Sequence, residues 1–414
     1  MSFFCLQIYL SLLTLYHNNL RFCNAFLFSG KKDLKFAYGV GRNTMTPAKS
    51  AVTKLSSSSS DKNYIGAVGS TLTDKDLAME ALALFLEKNN VTNMTPTTGG
   101  VNNIVQYVDL ASGKRQLLRI YNNGFDTQKV KFEHELLKEL NQMQKITGNS
   151  FSFQVPNFLP SKQGSTMARL SNGAEACMCE FIEGALPKLT CVREIGRASG
   201  ELNTALAKVT AVDKSMCNVA PYWKIWDVHH AVTRENFIET LQGPDFQTSN
   251  DLLDVAKRIL AETMAIVDKC QGYQSLPTQL IHGDLHYDNI LVQDGKVTAL
   301  LDFEFASFDW RAMELAICLS KYAGEAPDAM PYFDDFVDGF AETGLLSVEE
   351  ARAIPDLINL RILSNVAYFV GRAIAGEDSI SSLTTRISTY EKRVHWVKEN
   401  DDIIAARIIE KMGQ

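Results

Sequence analysis

The sequence predicts an α+β protein of two lobes, a small β-rich lobe followed by a larger α-helical one. Three patterns carry that prediction. Ile104 to Leu110 and Gln116 to Tyr121 are rich in β-forming residues and flank Ser112-Gly113, which reads as a hairpin. From about Thr190 onward the apolar residues recur at helical spacing instead. Inside that helical half a second hairpin is written around Asp294-Gly295, a dipeptide suited to a tight turn.

Taken in order, residues 1–60 are set apart by charge. They hold seven basic residues and one acidic residue, so a chain of net charge −7 divides into a leader of +6 and a body of −13. Phe3 to Tyr16 is apolar but short for a membrane span. Cys23-Asn24-Ala25 offers small residues for signal cleavage, and the stretch that ends at Ser56 to Ser60 is basic and rich in Ser and Thr. The expectation is a bipartite targeting presequence over 1–60 that directs the protein to a plastid. A cytoplasmic protein started at Met45 is the alternative.

Thr73 with Asp74 and Asp76 signals a helix start, and Leu77, Ala81, Leu84 and Phe85 continue at helical spacing. The turn Thr97 to Asn103 leads into the first hairpin. A charged helix is expected from Thr127 to Ile146, with Phe132, Leu136, Leu137 and Leu140 on one side and Val155-Pro156 ending it. Ala176 to Ile182 reads as the last strand before the helical part. Residues 61–183 then form the first lobe and 184–414 the second. Helices are expected in the second at Val192 to Leu206, Leu252 to Cys270, Trp310 to Tyr322, Pro355 to Ala375 and Leu383 to Lys398. Two lobes with a cleft between them make a natural small-molecule site.

The apolar share of 46% is that of a chain with a real core. Nothing in a net charge of −7 suggests a surface that tracks nucleic acid or anionic lipid. No segment after the leader is apolar for long enough to predict a membrane span. Among the eight cysteines only Cys177-x-Cys179 has close spacing, without a second pair to complete a zinc site. Free thiols in a reducing compartment are the reading.

The chemistry concentrates in one segment. His282-Gly283-Asp284-Leu285-His286-Tyr287-Asp288-Asn289 precedes the Asp294-Gly295 hairpin, and Asp302-Phe303-Glu304 follows it. A hairpin brings its two ends together, so Asp284, Asn289 and Asp302 converge. Phosphoryl transfer needs such a convergence: a carboxylate for the proton of the attacking hydroxyl, and hard oxygen ligands for the Mg²⁺ that meets the ATP phosphates.

The His-x-Asp-x₄-Asn spacing followed by Asp-Phe resembles the aminoglycoside phosphotransferase and choline kinase superfamily, a branch of the protein-kinase-like fold. The resemblance covers roughly residues 95–325. It implies a bilobal protein-kinase-like architecture and a kinase that uses ATP and Mg²⁺ to phosphorylate a small-molecule hydroxyl. It implies Asp284 as catalytic base, His282 as support of its loop, and Asn289 and Asp302 as Mg²⁺ ligands. The first lobe would bind the nucleotide: Gly99, Gly100 and Asn102 at the phosphates, Arg119 reaching them from a strand, and the Phe181-Ile182 backbone at the adenine edge. Glu135 would pair with Arg119, with Glu133 and Glu139 equally available.

Within the superfamily, Asp302-Phe303-Glu304 is similar to choline and ethanolamine kinases. Gln154-Val155-Pro156, and Leu280 to Tyr322 with Asp309-Trp310-Arg311, are closer to type II homoserine kinases. Glu314 departs from the Asp usual there, and Asn203 from the usual His after Leu202. For the acceptor, Arg311 would clamp a carboxylate, or else pair with Glu314 at i+3. Asp309 and Trp310 lie beside it, and His286 faces the acceptor or packs the loop. The patch Tyr222, Trp223, Trp226 and Asp227 would hold an ammonium or serve as core. Homoserine or a related amino alcohol is the expected acceptor. A choline or ethanolamine kinase is the second reading, and a pseudokinase-like binding module is one of another class. A protein kinase does not fit, because no Ala-Pro-Glu follows Asp302.

Overall fold

The structure, a computed structural model, describes residues 64–65, 71–97, 103–122, 126–146, 151–326 and 328–412. The leader and the Gly99, Gly100 and Asn102 turn lie outside them. In chain order the early elements are β1 (Tyr64–Ile65), β2 (Thr71–Leu72), α1 (Asp74–Phe85), β3 (Val91–Pro96), β4 (Ile104–Leu110), β5 (Arg115–Ile120), α2 (Thr127–Ile146), β6 (Phe158–Leu159), β7 (Ala168–Arg169) and β8 (Glu175–Glu180). Then come α3 (Val192–Leu206), α4 (Arg234–Leu241), α5 (Asn250–Cys270), β9 (Thr278–Ile281), β10 (Ile290–Gln293), β11 (Lys296–Leu300) and β12 (Ser307–Trp310). Five helices complete the described part: α6 (Arg311–Ser320), α7 (Met330–Phe340), α8 (Val348–Ile374), α9 (Ile380–Glu399) and α10 (Asp401–Met412).

These elements form two compact units, Met1–Gly124 with Pro160–Met178 and Phe125–Leu159 with Cys179–Gln414. The first is built on antiparallel strands β3, β4 and β5, with β8 beside β5 and β7 on β8. The β4–β5 hairpin turns through Gly113 at φ +80°, a backbone that glycine adopts freely. Helix α1 starts as expected: Thr73 accepts from the Asp76 N–H while the Asp76 carboxylate accepts from the Thr73 N–H. Its buried stripe of Leu77, Ala78, Ala81, Leu82 and Phe85 packs toward β5.

The second unit is largely helical and carries most of the apolar core. Helices α3 and α7 approach closely enough that a Cβ on Gly196 would sit 2.1 Å from the Phe336 carbonyl oxygen. Helix α8 is buried on nearly every side, as expected of a helix at the centre of an α-rich unit. It begins at Val348, ahead of the expected Pro355, because Ser347 and Glu350 form a capping box and Pro355 is accommodated further along. Trp310 ends a strand instead of starting the helix. β12 pairs antiparallel with β9, with Trp310 opposite Thr278, and the helix waits until Arg311.

Cys177 and Cys179 lie buried on β8, and the six described cysteines are free thiols. Among the described residues no helix is long and apolar enough to cross a membrane.

Candidate active site

Two short antiparallel pairs position the segment singled out above. β9 delivers the chain to His282, and β12 takes it away after Phe305. Between them β10 and β11 pair Ile290 with Leu300 and Gln293 with Lys296, around a turn with Asp294 at φ +51° and Gly295 at φ +76°. Both central residues thus have positive φ, the geometry of the tight hairpin turn the dipeptide predicts. The segment is also pinned from outside, because Leu300 N–H donates to Gln154 O at 3.0 Å and Gln154 N–H to Thr298 O at 2.8 Å.

At the base of this hairpin the predicted residues come together. The Leu301 N–H donates to Asn289 O at 2.9 Å, which sets Asn289 across from Asp302. The Asn289 side-chain amide donates to the Asp284 backbone oxygen at 2.9 Å and to its carboxylate Oδ2 at 3.2 Å. The Asn289 amide oxygen and the Asp302 carboxylate are the two hard oxygen groups that the hairpin base contributes. Two hard oxygen donors of this kind suit a small divalent cation, so the residues fit the expected metal. Asp302 holds φ +66°, a left-handed backbone that a non-glycine residue keeps only where its surroundings enforce it.

The loop between β9 and β10 is braced residue by residue. His282 is fully buried. Its Nδ1 accepts from the Asp284 N–H at 3.3 Å, so the proton sits on Nε2, which donates to Leu301 O at 2.9 Å. Burial lowers its pKa to about 4, which keeps it neutral. Gly283 has φ +81°, and a Cβ there would lie 2.2 Å from the Phe305 carbonyl oxygen, so no other residue fits. Glu314 on α6 is fully buried and accepts the His282 N–H at 2.5 Å. Burial pushes its pKa up to about 7. The departure noted in the sequence is thus a carboxylate that reaches under the loop.

Asp284 has a partner on each oxygen. Oδ2 accepts from Asn289; Oδ1 lies 3.5 Å from His286 Nε2 and 2.6 Å from Arg361 Nη2. Burial opposes its ionisation, but His286, Arg361 and Lys321 outweigh burial and hold the carboxyl below its ordinary range. His286 Nδ1 accepts from the Asp288 N–H at 3.2 Å, so its Nε2–H is the face turned to Asp284.

The remaining predicted residues are placed as follows. Arg119 lies on β5 opposite Val105, its guanidinium carbon 4.5 Å from the centre of the Tyr121 ring. On α2, Glu135 is exposed, 3.5 Å from Lys138; Glu139 accepts the Thr210 and Ala211 N–H groups at 3.0 Å each, and Glu133 is buried. Phe181 and Ile182 are half-buried in the connector after β8. Asp309 is buried and accepts the N–H groups of Tyr222 and Trp310 at 2.6 Å each. Trp310 is buried too, its ring 6.2 Å from Trp223 and 6.1 Å from Tyr273. Arg311 closes a two-point ion pair with the buried Glu350, in place of Glu314 at i+3. Asn203 receives the Gln279 side-chain amide on both of its oxygens, at 2.9 and 2.6 Å.

Arg361 was not anticipated. The signal in the sequence is a cation flanked by Leu360, Ile362 and Leu363, a pattern that snorkelling explains as readily as a site.

A carboxylate held ionised on a loop beside a hairpin that carries Asn289 and Asp302 is an arrangement suited to phosphoryl transfer. The chain belongs to the phosphotransferase enzyme family, which its residues 93–351 match. Its relatives include the homoserine kinase of Rhizobium etli, 26% identical over 68% of this chain and 81% of the relative. That of Sinorhizobium fredii is 24% identical over 68% and 80%. The fold is shared with a microcompartment-associated aminopropanol kinase (TM-score 0.57, 18% identity, 80% of this chain and 98% of that one). It is also shared with a choline/ethanolamine kinase family protein from Mesorhizobium loti (TM-score 0.55, 12% identity, 81% and 98%). The α+β fold is therefore protein-kinase-like, and the protein is a kinase that phosphorylates a hydroxyl of a small molecule.

Proposed function

We propose that the acceptor is homoserine or a close hydroxy amino acid and that the donor is ATP held with Mg²⁺. The observation that carries the reading is the convergence of Asp284, Asn289 and Asp302, joined to homoserine kinases as the relatives that cover most of the chain. Asp284 is the base: its carboxylate accepts the proton of the acceptor hydroxyl as that oxygen attacks the γ-phosphorus. The bond from the γ-phosphorus to its bridging oxygen breaks, and ADP leaves. Asn289 and Asp302 hold the metal, which when bound neutralises charge on the phosphates.

His282 positions the base without taking a proton, because it is neutral and both ring nitrogens are used. Asn289 links the two functions by fixing Asp284 with its amide nitrogen and offering its oxygen to the metal. The leader supports delivery to a plastid as part of the same proposal, since its charge and Ser/Thr content differ from those of the body.

The test is ADP release with Mg-ATP and a panel of homoserine, ethanolamine, choline and an aminoglycoside. Homoserine is expected to give the highest kcat/KM. Preference for choline or ethanolamine would move the chain to the second reading, and no stimulated turnover at all would leave a binding module.

A further inference from the structure

Arg361 lies on α8 and is 8% exposed, deep for a charged side chain. One end of its guanidinium is committed. Nη2 donates to Asp284 Oδ1 at 2.6 Å, and Nη1 donates to Asn365 Oδ1 one turn along the helix. The plane sits over the Tyr222 ring, 5.2 Å from its centre, and the Tyr222 hydroxyl donates to Gly283 O at 2.7 Å. Nε, by contrast, is buried without a hydrogen-bond partner among the described residues.

Nε and Nη2 form one edge of the guanidinium, the fork that grips a carboxylate with two parallel bonds. Arg311 uses that same edge on Glu350. In Arg361 the edge is half used, by the bond from Nη2 to Asp284, and leaves a buried N–H on Nε that costs free energy until something accepts from it. An ammonium group has no lone pair to accept from that N–H, whereas a carboxylate oxygen does.

We infer that Arg361 reads the carboxylate of the acceptor. Its Nε–H donates to an oxygen of that carboxylate, and its bond to Asp284 fixes the guanidinium beside the base. The inference rests on the reading of the acceptor as a hydroxy amino acid and names the residue that selects it.

The experiment compares homoserine with 3-aminopropan-1-ol, which is homoserine without its carboxylate, on the wild-type chain, Arg361→Gln and Arg361→Lys. The readout is the ratio of kcat/KM for the two acceptors. It is expected to fall about 30-fold or more in Arg361→Gln, chiefly through the acceptor KM, with the KM for ATP within about threefold. Arg361→Lys keeps the charge and loses the fork, so its ratio falls about tenfold, and it serves the test where the Gln variant does not fold. Equal losses on both acceptors would overturn the inference and make Arg361 a residue that only positions Asp284. Wild-type turnover of 3-aminopropan-1-ol in preference to homoserine would overturn it and the acceptor reading together. Homoserine turnover with an unchanged ratio in both variants overturns the inference alone.

Discussion

The segment from His282 to Asp302 and helix α8 reach the same carboxylate by different routes. The segment does so locally, through a turn, a hairpin and bonds between residues close in sequence, such as Asn289 to Asp284 and His282 to Leu301. Helix α8 does so across the chain, by placing Arg361 against Asp284 from 77 residues away. The first route fixes the proposed base beside the residues proposed to hold the metal. The second route brings in the residue inferred to meet the acceptor. On this proposal, chemistry and selectivity are carried by separate elements that share one carboxylate.

The strongest way to break that division is to remove the shared group. Asp284→Ala should lower kcat by about 10³-fold or more, because proton transfer from the hydroxyl loses its acceptor. ADP affinity should stay within a few-fold, since the carboxylate is proposed to contact only the acceptor hydroxyl. Steady-state kinetics and nucleotide titration check both halves, and near-normal turnover would remove Asp284 from the mechanism.

The same division explains what could be read from the sequence. The Asp294-Gly295 turn with apolar runs on either side is a local code, and it yields the hairpin and the approach of Asn289 to the end of the second strand. The capping box at Thr73 is local in the same way. The β9–β12 pairing is not local, so Trp310 reads as helix when it is strand. Arg311 and Arg361 show the limit most clearly. Each is one arginine beside apolar residues, and only the tertiary partner tells them apart. Glu350 fills the fork of Arg311, while Arg361 keeps an open N–H.

Comparing those two arginines sharpens the point at a smaller scale. Arg311 joins the start of α6 to the start of α8, and Glu350 is fully buried. Arg311→Gln would leave that carboxylate with its capping contact to the Ser347 N–H, at 2.8 Å, and no counter-charge. The expected cost is about 2–4 kcal/mol of stability, read as a lower melting temperature. Selectivity between homoserine and 3-aminopropan-1-ol should hold within about threefold. A large change in that ratio with normal melting would assign Arg311 to the acceptor and erase the contrast with Arg361.

The smallest expected effect lies in how the loop's support titrates. Glu314 holds the His282 N–H, and its folded pKa of about 7 lies above the ordinary value of 4.5. Between those values the folded state keeps a proton that the unfolded chain releases, so this group's contribution is full at low pH and is lost as pH rises through about 7. His282 acts in the opposite sense. Its folded pKa of about 4 lies below the ordinary 6.5, so its contribution is present above that value and is lost as pH falls toward 4. In the wild type the two partly cancel over the same window. Glu314→Gln keeps an acceptor for the His282 N–H and removes the first titration. Its stability relative to wild type should therefore improve as pH rises from about 5 to 7.5, by on the order of 1–2 kcal/mol. Urea unfolding at a series of pH values measures it. Parallel curves for the two proteins would mean that Glu314 is ionised in the fold, with the loop resting on a charged support.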